Sequence, residues 1–277
     1  MSPGRPPGDV DAESARLWLP DAAIATLPPA AARMRLLSYN IHVGSQPAHY
    51  GHYVTRAWRH VLPGPGMHAT LDQMAELMSA HDFVAVQEAD AGSLRTRFVN
   101  QMEYLARRAG FSHLGFTITR DLRPVARHAL GFLSRVAPLR SHEHALPGRI
   151  PGRRALSVEL GPGGGGLKLL IAHLSLGRQD RHRQLDYLAR LVTGAPTVLL
   201  GDLNCEADAL REHGALGRSG IWVPHATPAT FPSWKPRLSL DHILATPHVS
   251  VHRVASLPHL LSDHLPILAE VSVPIVR

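Results

Sequence analysis

Six short apolar runs in this chain each stop at, or are broken by, carboxylate, amide or imidazole groups. They are "LLSYNIH" with Asn40 and His42, "FVAVQEAD" with Glu88, "LKLLIAHL" with His173, "TVLLGDLN" with Asp202 and Asn204, "LSLDHIL" with Asp241 and His242, and "LLSDHLPI" with Asp263 and His264. Apolar runs this short read as buried strands. In layered α/β folds, strand ends are where polar side chains converge on a site. The last run adds a geometric demand. Consecutive side chains of a regular strand point to opposite faces, so Asp263 and His264 reach one site only from an irregular turn. Pro266 supports a turn there, because proline is tolerated at a strand's first residue and not in its middle. The stretch from Ile267 to Val273, closed by Pro274, is expected to be an edge or terminal strand.

Helical patterns alternate with these runs. "MHATLDQMAELMSAHD" puts Leu71, Met74, Ala75, Leu77 and Met78 on one face. "GSLRTRFVNQMEYLARRAG" reads as a second amphipathic helix stopped by Gly110, and "RQDRHRQLDYLARLV" as a third. "SHLGFTIT", "LGFLSR" and "RRALSVEL" are further strand candidates. The "GPGGGG" run joins two antiparallel strands, and it is no phosphate loop because no Gly-Lys-Ser/Thr follows it. Strands alternating with helices, plus hairpins, predict one α/β sandwich domain over 33–277. The Pro- and Ala-rich residues 1–32 read as a disordered tail.

A formal charge of +7 favours polyanionic partners, although an arginine-rich composition accounts for it equally well. The single cysteine, Cys205, excludes an intrachain disulfide and a Cys-rich zinc site. No apolar run is long enough to span a bilayer, and the N-terminus lacks the basic-then-apolar order of a secretory signal. A cytoplasmic monomer is expected, with no protein partner inferred.

A thiol-free set of carboxylates and amides is hard-ligand chemistry, suited to Mg²⁺ or Mn²⁺ rather than structural zinc. Histidines and a spare aspartate beside such an ion are what phosphate-ester hydrolysis requires. The chain has 19 histidines, so most must be ordinary packing or surface residues. His42 and His242 are expected to be structural. Asp202 could also cap a turn with Asn204, and Glu88 could be a solvated strand end. Ser262 lacks a nucleophile elbow, which argues against a serine triad.

Taken in order, "LLSYNIH", "VAVQE", "IAHL", "LLGDLN", "LDHIL" and "SDHLPI" resemble the endonuclease/exonuclease/phosphatase superfamily, the metal-dependent phosphoesterases that include DNase I, abasic-site endonucleases and neutral sphingomyelinases. The resemblance spans Arg35 to Val273 and implies a four-layer sandwich, two mixed β-sheets face to face with helices outside. It implies that Glu88 binds Mg²⁺ or Mn²⁺, with Asn40 and Asp263 beside it. Asp202 would orient or deprotonate water, Asn204 would donate to a phosphate oxygen, and Asp241 would orient and charge His264. His264 would contact the phosphate or act as the base. His173 would face it, stabilising the phosphate or protonating the leaving oxygen.

The sequence also departs from subgroups. "RHALGFLSR" has Leu130 where many members carry Asn, and "SLDHIL" matches neither the inositol polyphosphate 5-phosphatase pattern nor that of abasic-site endonucleases. Two loops are candidates for substrate choice. The loop over 43–66 carries Tyr50, Tyr53, Arg56, Trp58 and Arg59, which suit bases or phosphates, or a lid over the core. Trp234, Lys235 and Arg237 precede the Asp241 strand and are expected to bind substrate. The expected function is hydrolysis of a phosphodiester, with nucleic acid favoured. The alternatives are a phosphatase or phospholipase C-type hydrolase on a lipid or small metabolite, a non-catalytic scaffold of the same fold, and electrostatic DNA binding without chemistry.

Overall fold

The structure, a computed structural model, describes residues 33–44, 66–161, 164, 166–224 and 227–273. The expected tail, 1–32, and the loop residues 45–65 lie outside the described residues.

Two sheets face each other. The first holds six strands in the order β10-β11-β1-β2-β4-β3: β1 (Arg33–Asn40), β2 (Phe83–Asp90), β3 (His113–Leu122), β4 (Ala126–Ser134), β10 (Ser250–Ser256) and β11 (Ile267–Ser272). The second runs β5-β6-β7-β8-β9: β5 (Pro138–Ala145), β6 (Arg154–Leu160), β7 (Lys168–His173), β8 (Thr197–Asp202) and β9 (Asp241–Ala245). Both are mixed, since β1 is parallel to β2 and β7 to β8 while the other pairs are antiparallel. The hairpin expected across the glycine run is the antiparallel pair β6–β7.

The period of two in the strands sorts residues into layers. Met34 and Leu36 of β1, Phe83 and Ala85 of β2, Leu169 and Ile171 of β7, Val198 and Leu200 of β8 and Ile243 of β9 share one core between the sheets. The alternate residues Leu37, Tyr39, Val84 and Val86 pack outward against α1 (Met67–Ser79) and α2 (Gln101–Ala109). Leu170, Ala172 and Leu199 pack against α3 (Arg178–Arg190) and the short helices α4 (Ala207–Arg211) and α5 (Gly214–Ser219). The result is the four-layer sandwich.

Three expectations are corrected. β11 is the last strand of the described residues, one of the two alternatives expected, but it is not an edge strand, for it lies between β10 and β1; the half-exposed β10, a polar run, supplies the edge. The helix expected across 92–110 forms only over Gln101–Ala109. Asn100 caps it by accepting from the Met102 and Glu103 amides. Upstream, the backbone of Gly92 and the side chains of Ser93, Arg95 and Thr96 gather around the buried Asp90 carboxylate, which holds that segment in a tight turn. The third helix ends at Arg190, two residues early.

Candidate active site

Asn40, His173, Asp202 and Asp241 all fall on the register positions that face the inter-sheet core, and all lie at the same end of their sheets. In the second sheet three of them form one row across neighbouring strands. His173 on β7 is paired with Asp202 on β8, and Asp202 with Asp241 on β9. Cross-strand neighbours on one face are close enough to interact directly. His173 Nε2 is 3.5 Å from Asp202 Oδ2.

Glu88 is positioned differently. By alternation it would share the face of Val84 and Val86 and point into the helical layer. Between Val86 and Ala89, however, the pairing with β4 slips by one residue, and Glu88 takes a left-handed φ of 55°. A bulge of this kind re-aims a side chain. The carboxylate reaches Asn40, whose Nδ2 donates to Glu88 Oε1 and to Asp202 Oδ2, each at 3.1 Å. His42, Val43 and Asn204 also have positive φ. Left-handed non-glycine residues clustered at one place mark a functional site.

Asp263 and His264 occupy the irregular turn before β11, as the sequence requires. The segment preceding β9 pins that turn. Ser233 N donates to the Asp263 carbonyl, Ser233 Oγ to the Ser262 carbonyl, and Leu265 N to the Thr230 carbonyl. His264 Nδ1 is 2.7 Å from Asp241 Oδ2, and the Thr230 hydroxyl donates to the same oxygen at 2.6 Å. The Phe231 ring lies against His264 with centroids 4.9 Å apart. Nε2 of His264 then faces Asp202 Oδ2 at 3.8 Å.

Burial opposes charge on His264, but Asp241 and then Asp202 outweigh it and raise its pKa well above the usual value. Burial and the Asp241 charge raise Asp202 toward neutrality. His173 is pushed down to about 3 by burial and by the nearby Arg153. Burial alone would raise the Glu88 carboxyl, yet His42, His173 and Asn40 hold it below the ordinary range.

Glu88 Oε2 and Asp263 Oδ2 converge on one point: His42 Nδ1 lies 3.4 Å from the first and 3.5 Å from the second. Burial works against a charged His42, and the two carboxylates overcome it and raise its pKa. Two converging carboxylates with an amide beside them, and no thiol, suit a hard divalent cation. Asn40 as placed turns Nδ2 toward the carboxylates and accepts from the His42 amide through Oδ1. Asp202, Asp241 and His264 also lie within 4.8 Å of one another, but there the 2.7 Å bond between imidazole and carboxylate already joins two of the three.

The remaining candidates are scattered more widely. Asn204 donates Nδ2 to the Leu174 carbonyl and its backbone N–H to Asp202 Oδ1, so it braces Asp202. Trp234 is half-buried while Lys235 and Arg237 are exposed, on the segment that packs behind His264. None of the three lines the cavity of about 630 Å³ that opens beside Glu88 and His173. Leu130 is buried in the inter-sheet core at the wall of that cavity. His242 is buried with Nε2 2.7 Å from the Cys205 carbonyl, a structural histidine as expected. His42, by contrast, stands between the two carboxylates. Sequence reading also missed Thr230 and Phe231, which hold Asp241 and His264. It missed Arg153 as well, whose Nη1 donates to the His173 carbonyl at 3.2 Å.

The sequence profile of the Endonuclease/Exonuclease/phosphatase family matches residues 37–264. Comparison with curated proteins finds no significant match. Among solved structures the chain is similar to an endonuclease/exonuclease/phosphatase from Beutenbergia cavernae, at 21% identity and a TM-score of 0.67, covering 87% of this chain and 72% of that one. It is similar to D. rerio TDP2 complexed with single strand DNA product (17% identity, TM-score 0.60, 87% and 99% covered). A mannosyl-6-phosphatase from Bacteroides thetaiotaomicron is a third neighbour (16% identity, TM-score 0.62, 86% and 99% covered).

Proposed function

The chain belongs to the Endonuclease/Exonuclease/phosphatase family, whose members are hydrolases acting on phosphate esters, and from that premise we propose that it cleaves a phosphodiester of nucleic acid with Mg²⁺ or Mn²⁺. The observation that carries this reading is the His173–Asp202–Asp241 row, completed by His264 and set across from the converging Glu88 and Asp263. Glu88 and Asp263, with Asn40, would hold the cation. When bound, it supplies charge balance for the phosphate and its developing negative charge.

The protein's own groups divide the remaining work. Asp241 lies 2.7 Å from His264 Nδ1 and raises its pKa, which favours the imidazolium, and in that form His264 would serve as a cationic donor to a phosphate oxygen. Asp202, whose pKa burial and Asp241 raise into the range of a general base, would accept the proton of the attacking water. On this reading Asp202 is the base and the His264–Asp241 pair is the clamp. His173, neutral near pH 7, would donate a hydrogen bond to the leaving oxygen, which takes its proton from solvent water as it departs. Asn204 keeps Asp202 in place through its backbone N–H and can offer its second amide hydrogen to the phosphate. No helix among the described residues is long and apolar enough to cross a membrane. The +7 charge and the DNA product held by the TDP2 neighbour support a nucleic acid substrate.

The test is hydrolysis of bis-p-nitrophenyl phosphate beside p-nitrophenyl phosphate, with Mg²⁺, Mn²⁺ or EDTA, by the wild type and His264→Ala. Metal-dependent diester cleavage lost in the variant is the expected result. Cleavage of the monoester alone would replace the reading with a phosphatase, and cleavage unaffected by His264→Ala would overturn the clamp role of the His264–Asp241 pair.

A further inference from the structure

The cavity of about 630 Å³ beside Glu88 and His173 extends well past the groups that handle one phosphate. Its volume falls in the range of ligand pockets. Three arginines line it: Arg120 from β3, and Arg149 and Arg153 from the turn between β5 and β6. Arg120 is exposed and forms no ion pair among the described residues. Arg149 is exposed as well, and its Nε sits 3.8 Å from Asp180 Oδ1, beyond hydrogen-bond reach. Arg153 spends Nη1 on the His173 carbonyl, which ties this cationic wall directly to the candidate active site. On the cavity's rim Ile150 and Leu176 are 73% and 78% exposed, an unusual outlay of aliphatic surface beside cations.

The turn that carries two of these arginines is built to hold its position. The buried Asp180 accepts from the Arg149 backbone N–H at 3.2 Å, and the buried Gln184 donates to the Pro147 carbonyl at 3.0 Å. Gly152 has a φ of 108°, and a Cβ there would lie 2.3 Å from the Thr119 carbonyl oxygen. Only glycine lets the turn press against β3 and bring Arg149 and Arg153 alongside Arg120. Guanidinium groups held this way match phosphate oxygens in charge and in planar donor geometry.

We propose that this cavity binds the nucleotide next to the scissile phosphodiester, with that nucleotide's own phosphate on Arg120, Arg149 and Arg153 and its base against Ile150 and Leu176. The inference rests on the phosphodiesterase reading for its substrate, and it makes a separate demand. A diester with a second phosphate one nucleotide away must bind better than one without it. The apolar rim distinguishes a nucleotide from a bare polyphosphate, which would leave Ile150 and Leu176 uncovered.

Calorimetry in EDTA, where metal-dependent turnover is suppressed, tests it with three probes: the thymidine dinucleotide TpT, and the same molecule with an added 5′ or 3′ phosphate. At least one phosphorylated form should bind the wild type about tenfold more tightly than TpT. The Arg120→Ala/Arg149→Ala variant should bring all three within about twofold of one another. Both side chains are exposed, so its melting temperature should match the wild type and exclude misfolding. Leu176→Ser should weaken all three probes alike. Equal binding of the three by the wild type, or no binding of any up to about 5 mM, would overturn the inference. Diester hydrolysis is read separately. A binding preference without metal-dependent turnover would defeat the phosphodiesterase reading alone, and turnover without the preference would defeat only the subsite.

Discussion

The two sheets contribute to the same site by opposite means. In the second sheet, His173, Asp202 and Asp241 are placed by regular pairing, and their facing direction follows from counting by twos along β7, β8 and β9. In the first sheet, Asn40 obeys that count, but Glu88 is turned by a bulge and a left-handed backbone, and His42 follows it into the left-handed region. The regular side carries the groups proposed to move a proton, and Asp241, which orients the phosphate clamp His264 from across the site. The irregular side, with Asp263, carries the groups proposed to hold the cation. A proton relay tolerates the spacing that a sheet imposes. Converging carboxylates must approach one point from different strands, which a flat ladder does not provide, and the chain meets that demand with local strain.

The largest expected effect removes the distinction in activity altogether. Glu88→Gln and His264→Ala should each lower diester turnover at least about 10³-fold, measured with Mn²⁺ on bis-p-nitrophenyl phosphate. Turnover within tenfold of wild type in either would break the claim that both halves serve one reaction.

Stability should then separate the halves. Gly201 on β8 has a φ of 151°, and a Cβ there would lie 1.9 Å from the Ala172 carbonyl oxygen of β7. Gly201→Ala should therefore cost about 3 kcal/mol or more in urea unfolding, because β7 and β8 must separate. Glu88→Gly should abolish activity and cost less than Gly201→Ala, since relief of roughly 1 kcal/mol of left-handed strain offsets part of the lost contacts to Asn40 and His42. A Glu88→Gly chain destabilised as much as Gly201→Ala would show that the bulge is not strained.

A pH dependence sharpens the comparison further. Burial and Asp241 raise the Asp202 pKa above its unfolded value, so folding is penalised as pH rises above the unfolded carboxylate range. The penalty grows up to the raised pKa and then levels off. Asp202→Asn should accordingly raise the melting temperature, more at pH 8 than at pH 5, measured without metal. His264 has the opposite sense. Its raised pKa contributes stability that is complete below pH 6.5 and is lost as pH rises through the folded value. Asp241→Asn should remove that contribution and flatten the alkaline fall. The smallest effect concerns Thr230, whose buried hydroxyl donates to Asp241 Oδ2: Thr230→Val should cost about 1 kcal/mol and lower turnover with little change in KM.

Much of this site is legible in the amino-acid sequence. Strand ends, and the turn before β11, identified Asn40, Glu88, His173, Asp202, Asp241, Asp263 and His264, and the fold brings all seven together. What the sequence could not show depends on contacts between distant segments. The slip that re-aims Glu88 arises between β2 and β4 and leaves no local signal. Thr230 and Phe231 meet Asp241 and His264 only after the segment before β9 folds over the turn at 262–265. Arg153 joins the site through the His173 carbonyl, not through any motif. β5 and β10 escaped notice because "PLRSHEHA" and "SVHRVAS" are polar, half-exposed edge strands without a buried period. The edge reading of β11 comes from the prolines that flank it in sequence; Pro266 precedes the strand rather than interrupting it, so β11 can pair on both sides.

The central claim is that the irregular side of the site is a cation site, and Mn²⁺ binding followed by calorimetry tests it most directly. The wild type should bind Mn²⁺ more tightly at pH 8 than at pH 6, because His42 must give up its proton between Glu88 and Asp263 as the ion enters. Glu88→Gln and Asp263→Asn should each weaken that binding at least about tenfold, while His173→Ala leaves it within about threefold. Binding that is unchanged by Glu88→Gln and Asp263→Asn, or absent from the wild type, would contradict the account and leave the sandwich a binding scaffold.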